Sequence, residues 1–386
     1  MIAWRRSFLV GFLLAGLSWS SAKACHLIFV EKAPTLTQDF QKRSMVLVGV
    51  IANADKEKES TEFVIDQVLK SNEYLGSQKV KTIDGKQVLT LPRYLPDAKN
   101  KKYIVFLDID RGKIDPIRGV ELKDGSELIA YLKGAVALKD RDDQLRYFFK
   151  HLNSPDSELA SDAYKEFAQS DYRDYMAMAK KLPPDLLANW LQDAKKKTEY
   201  RELFATLLGL CGKREHAQLL GKMLSNAEMF KGTNGVLFEG ILVGYVSLEP
   251  NDGWKYITGL FKNKNRDFTM RYAGVRTARF LWEKRPDLVA QKDLVEGIAL
   301  LLDDGEVADF AIEDFRKWKR WETTDRVLAQ FGKETHNVPI VKRAILRFAL
   351  QSPTPRASAF IQEQRRRDPN LIKDIEELLK QESPEK

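Results

Sequence analysis

The spacing of hydrophobic residues changes once along this chain, near residue 139, and does not change back. Before that point the apolar residues come in short β-branched runs. Met45-Val46-Leu47-Val48-Gly49-Val50-Ile51 is one, and Thr61 to Leu69 follows with Phe63, Ile65 and Val68 expected on one face. Lys79-Val80-Lys81-Thr82-Ile83 and Gln87-Val88-Leu89-Thr90-Leu91 are separated by Asp84-Gly85, a two-residue hairpin signal. Tyr103-Ile104-Val105-Phe106-Leu107 reads as a buried central strand. After Lys139 the apolar positions recur every three or four residues, as in Leu288-Val289, Leu294-Val295, Ile298 and Leu301-Leu302, the stripe of an amphipathic helix.

A chain with this single switch is β then α. The first part, residues 25–138, is expected to form a small antiparallel barrel or sandwich. The second, residues 139–386, is expected to stack helices. Small residues fall at Ala163, Ala205, Gly240, Ala273, Ala311 and Ala344, at intervals of 33 to 42 residues, which predicts a HEAT-like α-solenoid. Ser154-Pro155-Asp156 and Arg285-Pro286-Asp287 are read as helix starts, where proline suits the first turn.

Residues 1–24 read as an export signal. Arg5 and Arg6 precede the apolar run Phe8 to Leu17, and Ala22-Lys23-Ala24 offers small residues for cleavage. The run is too short to span a ~30 Å hydrocarbon layer, and no later run is longer. The mature protein is therefore expected outside the cytoplasm, periplasmic or extracellular. Arg5-Arg6-Ser7-Phe8-Leu9 leaves twin-arginine export open beside ordinary secretion, and Cys25 as first mature residue leaves a lipid anchor open. The net charge of +8 includes three charges in that segment, so about +5 remains, and this calls for no nucleic-acid partner.

Two cysteines and four histidines in 386 residues exclude a disulfide-dense scaffold and a four-cysteine metal site. No nucleophile elbow, phosphate-binding loop, His-Glu-x-x-His or dinucleotide fingerprint occurs, so no cofactor is expected and common hydrolase, kinase and dehydrogenase chemistry is disfavoured. Cys25 and Cys211 are candidates for one disulfide, or Cys211 is a small buried hydrophobe. Cys25 and His26 together would begin the mature chain with an amine, a thiolate and an imidazole.

Two surface constellations stand out. Asp108, Asp110 and Asp115 follow the strongest strand and would form an acid/base pair or cation site if they converged, or a solvated strand exit if not. Arg279, Trp282, Arg316, Trp318, Arg320 and Trp321 combine basic and aromatic side chains in one third of the helical part. They would either line a groove for a peptide or glycan or serve as core with arginine cover.

The segment Phe40 to Val50, with the strands at Phe63–Leu69 and Tyr103–Leu107, resembles the opening of netrin-module, or tissue-inhibitor-of-metalloproteinase-like, OB barrels. The helical part, with Phe280-Leu281-Trp282-Glu283-Lys284-Arg285-Pro286-Asp287, resembles the HEAT-like region of exported proteins from planctomycete-type bacteria in which such a barrel comes first. The resemblance implies architecture; that bacterial group has no established activity. In the eukaryotic inhibitors the mature N-terminal cysteine presents its amine and carbonyl to a protease zinc, and only Cys25 carries over, without the partner cysteines that pin it. The leading expectation is a non-catalytic binding or scaffold protein for a protein or glycan of the envelope. The alternatives are an enzyme with an acidic site at Asp108 and Asp110, and a zinc-protease inhibitor acting through Cys25.

Overall fold

The computed structural model describes residues 33–77, 80–96, 101–232 and 235–382. The export segment, Cys25 and His26 lie outside them. The chain runs α1 (Leu36–Lys42), β1 (Met45–Asp55), β2 (Ser60–Lys70), β3 (Lys81–Ile83), β4 (Lys86–Leu91), β5 (Lys102–Asp110) and β6 (Lys113–Glu121). Helices follow: α2 (Leu128–Ala137), α3 (Arg141–His151), α4 (Ser157–Ala168), α5 (Tyr172–Ala179), α6 (Pro184–Gln192), α7 (Thr198–Cys211), α8 (Arg214–Leu224) and α9 (Val236–Leu248). The last are α10 (Pro250–Lys262), α11 (Phe268–Lys284), α12 (Gln291–Ala299), α13 (Ala308–Lys317), α14 (Thr324–Leu328), α15 (Pro339–Gln351), α16 (Pro355–Arg367) and α17 (Pro369–Glu382). The order is β then α, and the helical period sets in at Leu128, ahead of residue 139.

The six strands form one antiparallel sheet in the order β3-β4-β2-β1-β5-β6. It is not the closed barrel expected from the sequence. Its edges are β3 and β6, and no ladder joins them among the described residues. Pro116 in β6 lacks a ladder donor, which suits an edge. Register shifts along β1 and β2 bend the sheet until β4 comes within 8 Å, Cα to Cα, of β6. Asp84 and Gly85, with φ of 50° and 75°, turn β3 into β4 as the hairpin signal predicts.

The apolar run of β1 is explained by burial on both faces. Met45 and Leu47 point into a core inside the curved sheet with Phe63, Leu89 and Leu107, while Val46 and Val48 point to the helices. β5 divides in the same way, Val105 and Leu107 inward, Ile104 and Phe106 outward. A strand covered on both sides shows no alternation in its sequence. The outward residues join Leu132, Phe148 and Phe167 of the helical part in one continuous core.

Helix α1 ties the two parts together. Its capping box, Thr35 with Gln38, leaves other N-terminal donors open. Two buried carboxylates of α4 take them: Leu36 N–H donates to Asp162 (2.5 Å) and the Thr37 hydroxyl to the same carboxylate (3.0 Å). The Thr35 hydroxyl donates to Glu166 (2.5 Å), and Arg141 approaches the other oxygen of Glu166 at 3.3 Å.

The odd-numbered helices from α7 onward lie parallel. Glu202 of α7 faces Gly240 of α9, Glu239 of α9 pairs with Arg276 of α11, and Arg279 of α11 pairs with Asp314 of α13. Arg316 of α13 then donates to Gln351 of α15, and Arg347 of α15 pairs with Glu382 of α17. The small residues singled out in the sequence, from Ala163 to Ala344, are all buried. At the α7–α9 crossing a Cβ on Gly244 would lie 2.5 Å from the Ala205 carbonyl oxygen, and one on Gly240 would lie 2.6 Å from that of Glu202. Only glycine lets these backbones touch. Asp156 caps α4 as its Ser-Pro-Asp signal predicts, but Arg285-Pro286-Asp287 occupies the turn after α11, and the next helix starts at Gln291.

Candidate functional site

The six basic and aromatic residues separate into two groups. Trp282, near the end of α11, and Trp318, just past α13, stack at 4.2 Å between ring centroids with 9° between planes. The Arg320 guanidinium lies 4.7 Å from the Trp282 ring centroid. All three are half-buried. The other three make internal contacts: the Arg279 Nε–H is shared between both carboxylate oxygens of Asp314 (2.8 and 3.0 Å), Arg316 binds Glu313 (2.7 Å) and Gln351 (2.9 Å), and Trp321 packs edge-on against Phe348.

The backbone after α13 sets the stack. Lys319 adopts φ of 57°, and Arg320 N–H bonds back to the Phe315 carbonyl at 2.8 Å, the left-handed close of a helix. This reverses the chain and returns Arg320 to Trp282 of α11, while its Nη2 donates to Gln291 at the start of α12 (2.8 Å). An indole pair of this geometry contributes ~1 kcal/mol beyond burial, and a guanidinium on an indole a similar amount when partly exposed. Chemically the group offers flat apolar surface edged by a planar cation, which suits sugar rings, peptide planes or aromatic side chains and provides no nucleophile.

Asp108 and Asp110 do not converge. β5 continues through both into a hairpin with β6, turned by Arg111 and Gly112, so they lie within a ladder rather than at a strand exit, with Asp108 opposite Asp115. Asp108 accepts from Arg43 (2.9 Å) and from the Ser44 N–H (2.9 Å) and hydroxyl (3.1 Å). Burial works to raise its pKa, but the Ser44 and Arg43 donors outweigh it and hold the carboxyl below its ordinary value. A depressed, donor-saturated carboxylate is a structural tie, here between α1 and β5. Asp110 is exposed.

His216 bonds Asp185 (3.1 Å) and the Lys213 N–H (3.1 Å), His336 bonds the Leu302 carbonyl (2.7 Å), and His151 packs on Tyr131 and Tyr147. Among the described residues the carboxylate group close enough to share a cation is Asp140, Asp142 and Asp143; Asp140 caps α3 and Asp142 pairs with Arg146 (2.6 Å). Among the described residues Cys211 has no disulfide partner, Cys25 lying outside them; it is half-buried at the end of α7, with Sγ 3.4 Å from the Leu207 carbonyl, and burial pushes its thiol up to about 11. No described helix is long and apolar enough to cross a membrane.

Sequence reasoning missed the buried carboxyls of the array. Glu239 is pushed up to about 7 by burial, against the pull of Arg276, and Asp314 to about 6 by burial against Arg279. Glu202 is wholly buried with no hydrogen-bond partner, and burial followed by the nearby Glu239 raises it well above the ordinary value. In the sequence these acids look like the polar face of a helix; the cations that meet Glu239 and Asp314 come from a neighbouring parallel helix about 35 residues away.

These features define an open β-sheet joined to an array of parallel helices, with an aromatic–cationic stack at one rim of the array. No family model, curated protein or solved structure matches the chain.

Proposed function

We propose that the chain is an exported, non-catalytic binding protein of the bacterial envelope that holds a protein or glycan partner on the α11–α13 rim, with its parallel helices forming a HEAT-like solenoid. The observation that carries this reading is the Trp282–Trp318 stack with Arg320 on its outer ring, half-open to solvent at the helix ends. The export segment supports the location. The ionic pairs between successive helices support a rigid scaffold, since each buried acid in them meets a cation from its neighbour.

Titrating the mature protein with soluble envelope glycan fragments and with envelope peptides, while following tryptophan emission, tests the reading. A saturable change is expected, weakened about tenfold in Trp318→Ala and in Arg320→Ala. No saturable change, or one that survives both substitutions, contradicts it.

A further inference from the structure

The parallel array is closed on itself by α5. Tyr172 meets Phe280 of α11 edge-on at 5.0 Å, Lys284 pairs with Asp171 (3.1 Å), and Arg285 Nη1 donates to the Tyr172 hydroxyl (3.4 Å). The two polar contacts join residues 113 positions apart and, with the ring contact, border a half-open cavity of about 380 Å³ between the ends of α5, α7, α9 and α11. That volume is within the ordinary range for small-molecule sites.

Its lining is two-sided. Met176, Leu210 and Leu248 form an apolar wall, and Lys180, Lys284 and Arg285 bring three cations. Two acids answer them: Asp287 lines the cavity beside Arg285, and Asp171 pairs with Lys284 from outside it. The Lys284 and Arg285 side chains are 16% and 15% exposed, whereas Asp171 and Asp287 are 50% and 63% exposed. Three cations face two more exposed carboxylates, so the lining carries an excess of one positive charge, that of Lys180. Arg285 is fixed in place, with Nε and Nη2 on Asp287 (2.8 and 2.9 Å). Lys284 uses one of three donors on Asp171, and Lys180, at the exposed mouth, forms no ion pair among the described residues.

Four helix C-termini meet here, and their dipoles alone favour a cation. Several of their terminal carbonyls are already bonded, Leu208 by Gly212 N–H, Tyr245 by Glu249 N–H and Phe280 by Arg285 N–H, which leaves the full charges of the side chains dominant.

The geometry points to a binding site for a small organic oxyanion, a carboxylate or phosphate head held by Lys180 and Lys284 with a short apolar tail along Met176, Leu210 and Leu248. None of its lining residues belongs to the Trp282–Trp318–Arg320 stack. Calorimetric titration of the mature chain with hexanoate, hexyl phosphate and inorganic phosphate tests it. One tailed probe is expected to saturate at one site per chain, more tightly than inorganic phosphate, with affinity falling as salt rises. Which tailed probe binds distinguishes a carboxylate from a phosphate head. Lys180→Glu, an exposed position whose far-UV spectrum and melting should match wild type, is expected to lose about tenfold or more in affinity; Lys284→Gln should lose a comparable factor. The proposal is overturned if neither tailed probe saturates below about 10 mM, if inorganic phosphate binds as well as they do, or if folded Lys180→Glu binds as tightly as wild type.

Discussion

Lys319 adopts a left-handed conformation that ordinarily falls to glycine, and it does so at the turn that returns Arg320 to Trp282. A side chain there costs about 1 kcal/mol. Lys319→Gly is expected to raise stability by a similar amount in a urea melt without disturbing the indole stack, whereas a loss of stability would show that the Lys319 side chain makes a compensating contact. The buried acids make a second residue-scale prediction. Glu239 titrates at about 7 in the folded protein against an ordinary 4.5, and Asp314 at about 6 against 3.8. A raised carboxyl contributes stability that is complete below its unfolded pKa and lost as pH climbs through the folded one. The stability read from urea melts should therefore fall between pH 5 and pH 8, by an amount on the order of 2–3 kcal/mol, with the midpoint falling alongside, and Glu239→Gln should flatten that slope. A midpoint that rises over this range would contradict the assignment. Asp66, Asp108 and Asp287, whose values are depressed, act in the opposite sense and only below about pH 4.

Among the elements, the α7–α9 seam is where packing is least forgiving. Gly244→Ala would drive a methyl to 2.5 Å from the Ala205 carbonyl oxygen, and overpacking of this kind costs about 2 kcal/mol or more. Gly259 of α10 has nothing within 4 Å of its would-be Cβ, so Gly259→Ala should instead stabilise by about 0.5–1 kcal/mol through helix propensity. Opposite signs in parallel urea melts would confirm the seam; equal signs would not be compatible with it. Element existence was largely legible in the sequence. β1, β2, β4 and β5 lie where β-branched runs announced them, and Asp84-Gly85 turns as its chemistry requires. β6 was not legible, because Pro116, Asp115 and Arg118 make an edge strand resemble a loop once only Ile114 and Val120 are buried. Which of the six basic and aromatic residues would meet was equally hidden, since the stack depends on a left-handed Lys319 that no local pattern marks.

At the scale of the whole molecule, the sheet and the helices share a core and are pinned by α1. Asp162 alone accepts from Leu36 N–H, the Thr37 hydroxyl and the Tyr131 hydroxyl. Asp162→Ala strands these donors and is expected to cost about 3 kcal/mol or more. Because Val46 and Val48 of β1 lie in the same core as α4, loss of β1 amide protection should coincide with the change in tryptophan emission, and every described tryptophan belongs to the helical part. Two separated transitions would show independent halves. The division into β and α parts was visible as a change of period, but their fusion was not, since a strand buried on both faces reads as hydrophobic without saying what covers it. The central claim, that a partner is held on the α11–α13 rim, is tested most directly by a photo-crosslinking residue placed at exposed Lys317, beside Trp318, with another at exposed Lys58 in the β1–β2 turn of the sheet as control. In intact envelope material the account predicts a discrete adduct from position 317, weakened by Trp282→Ala, and none from position 58. No adduct at 317, or equal adducts at both positions, would contradict it.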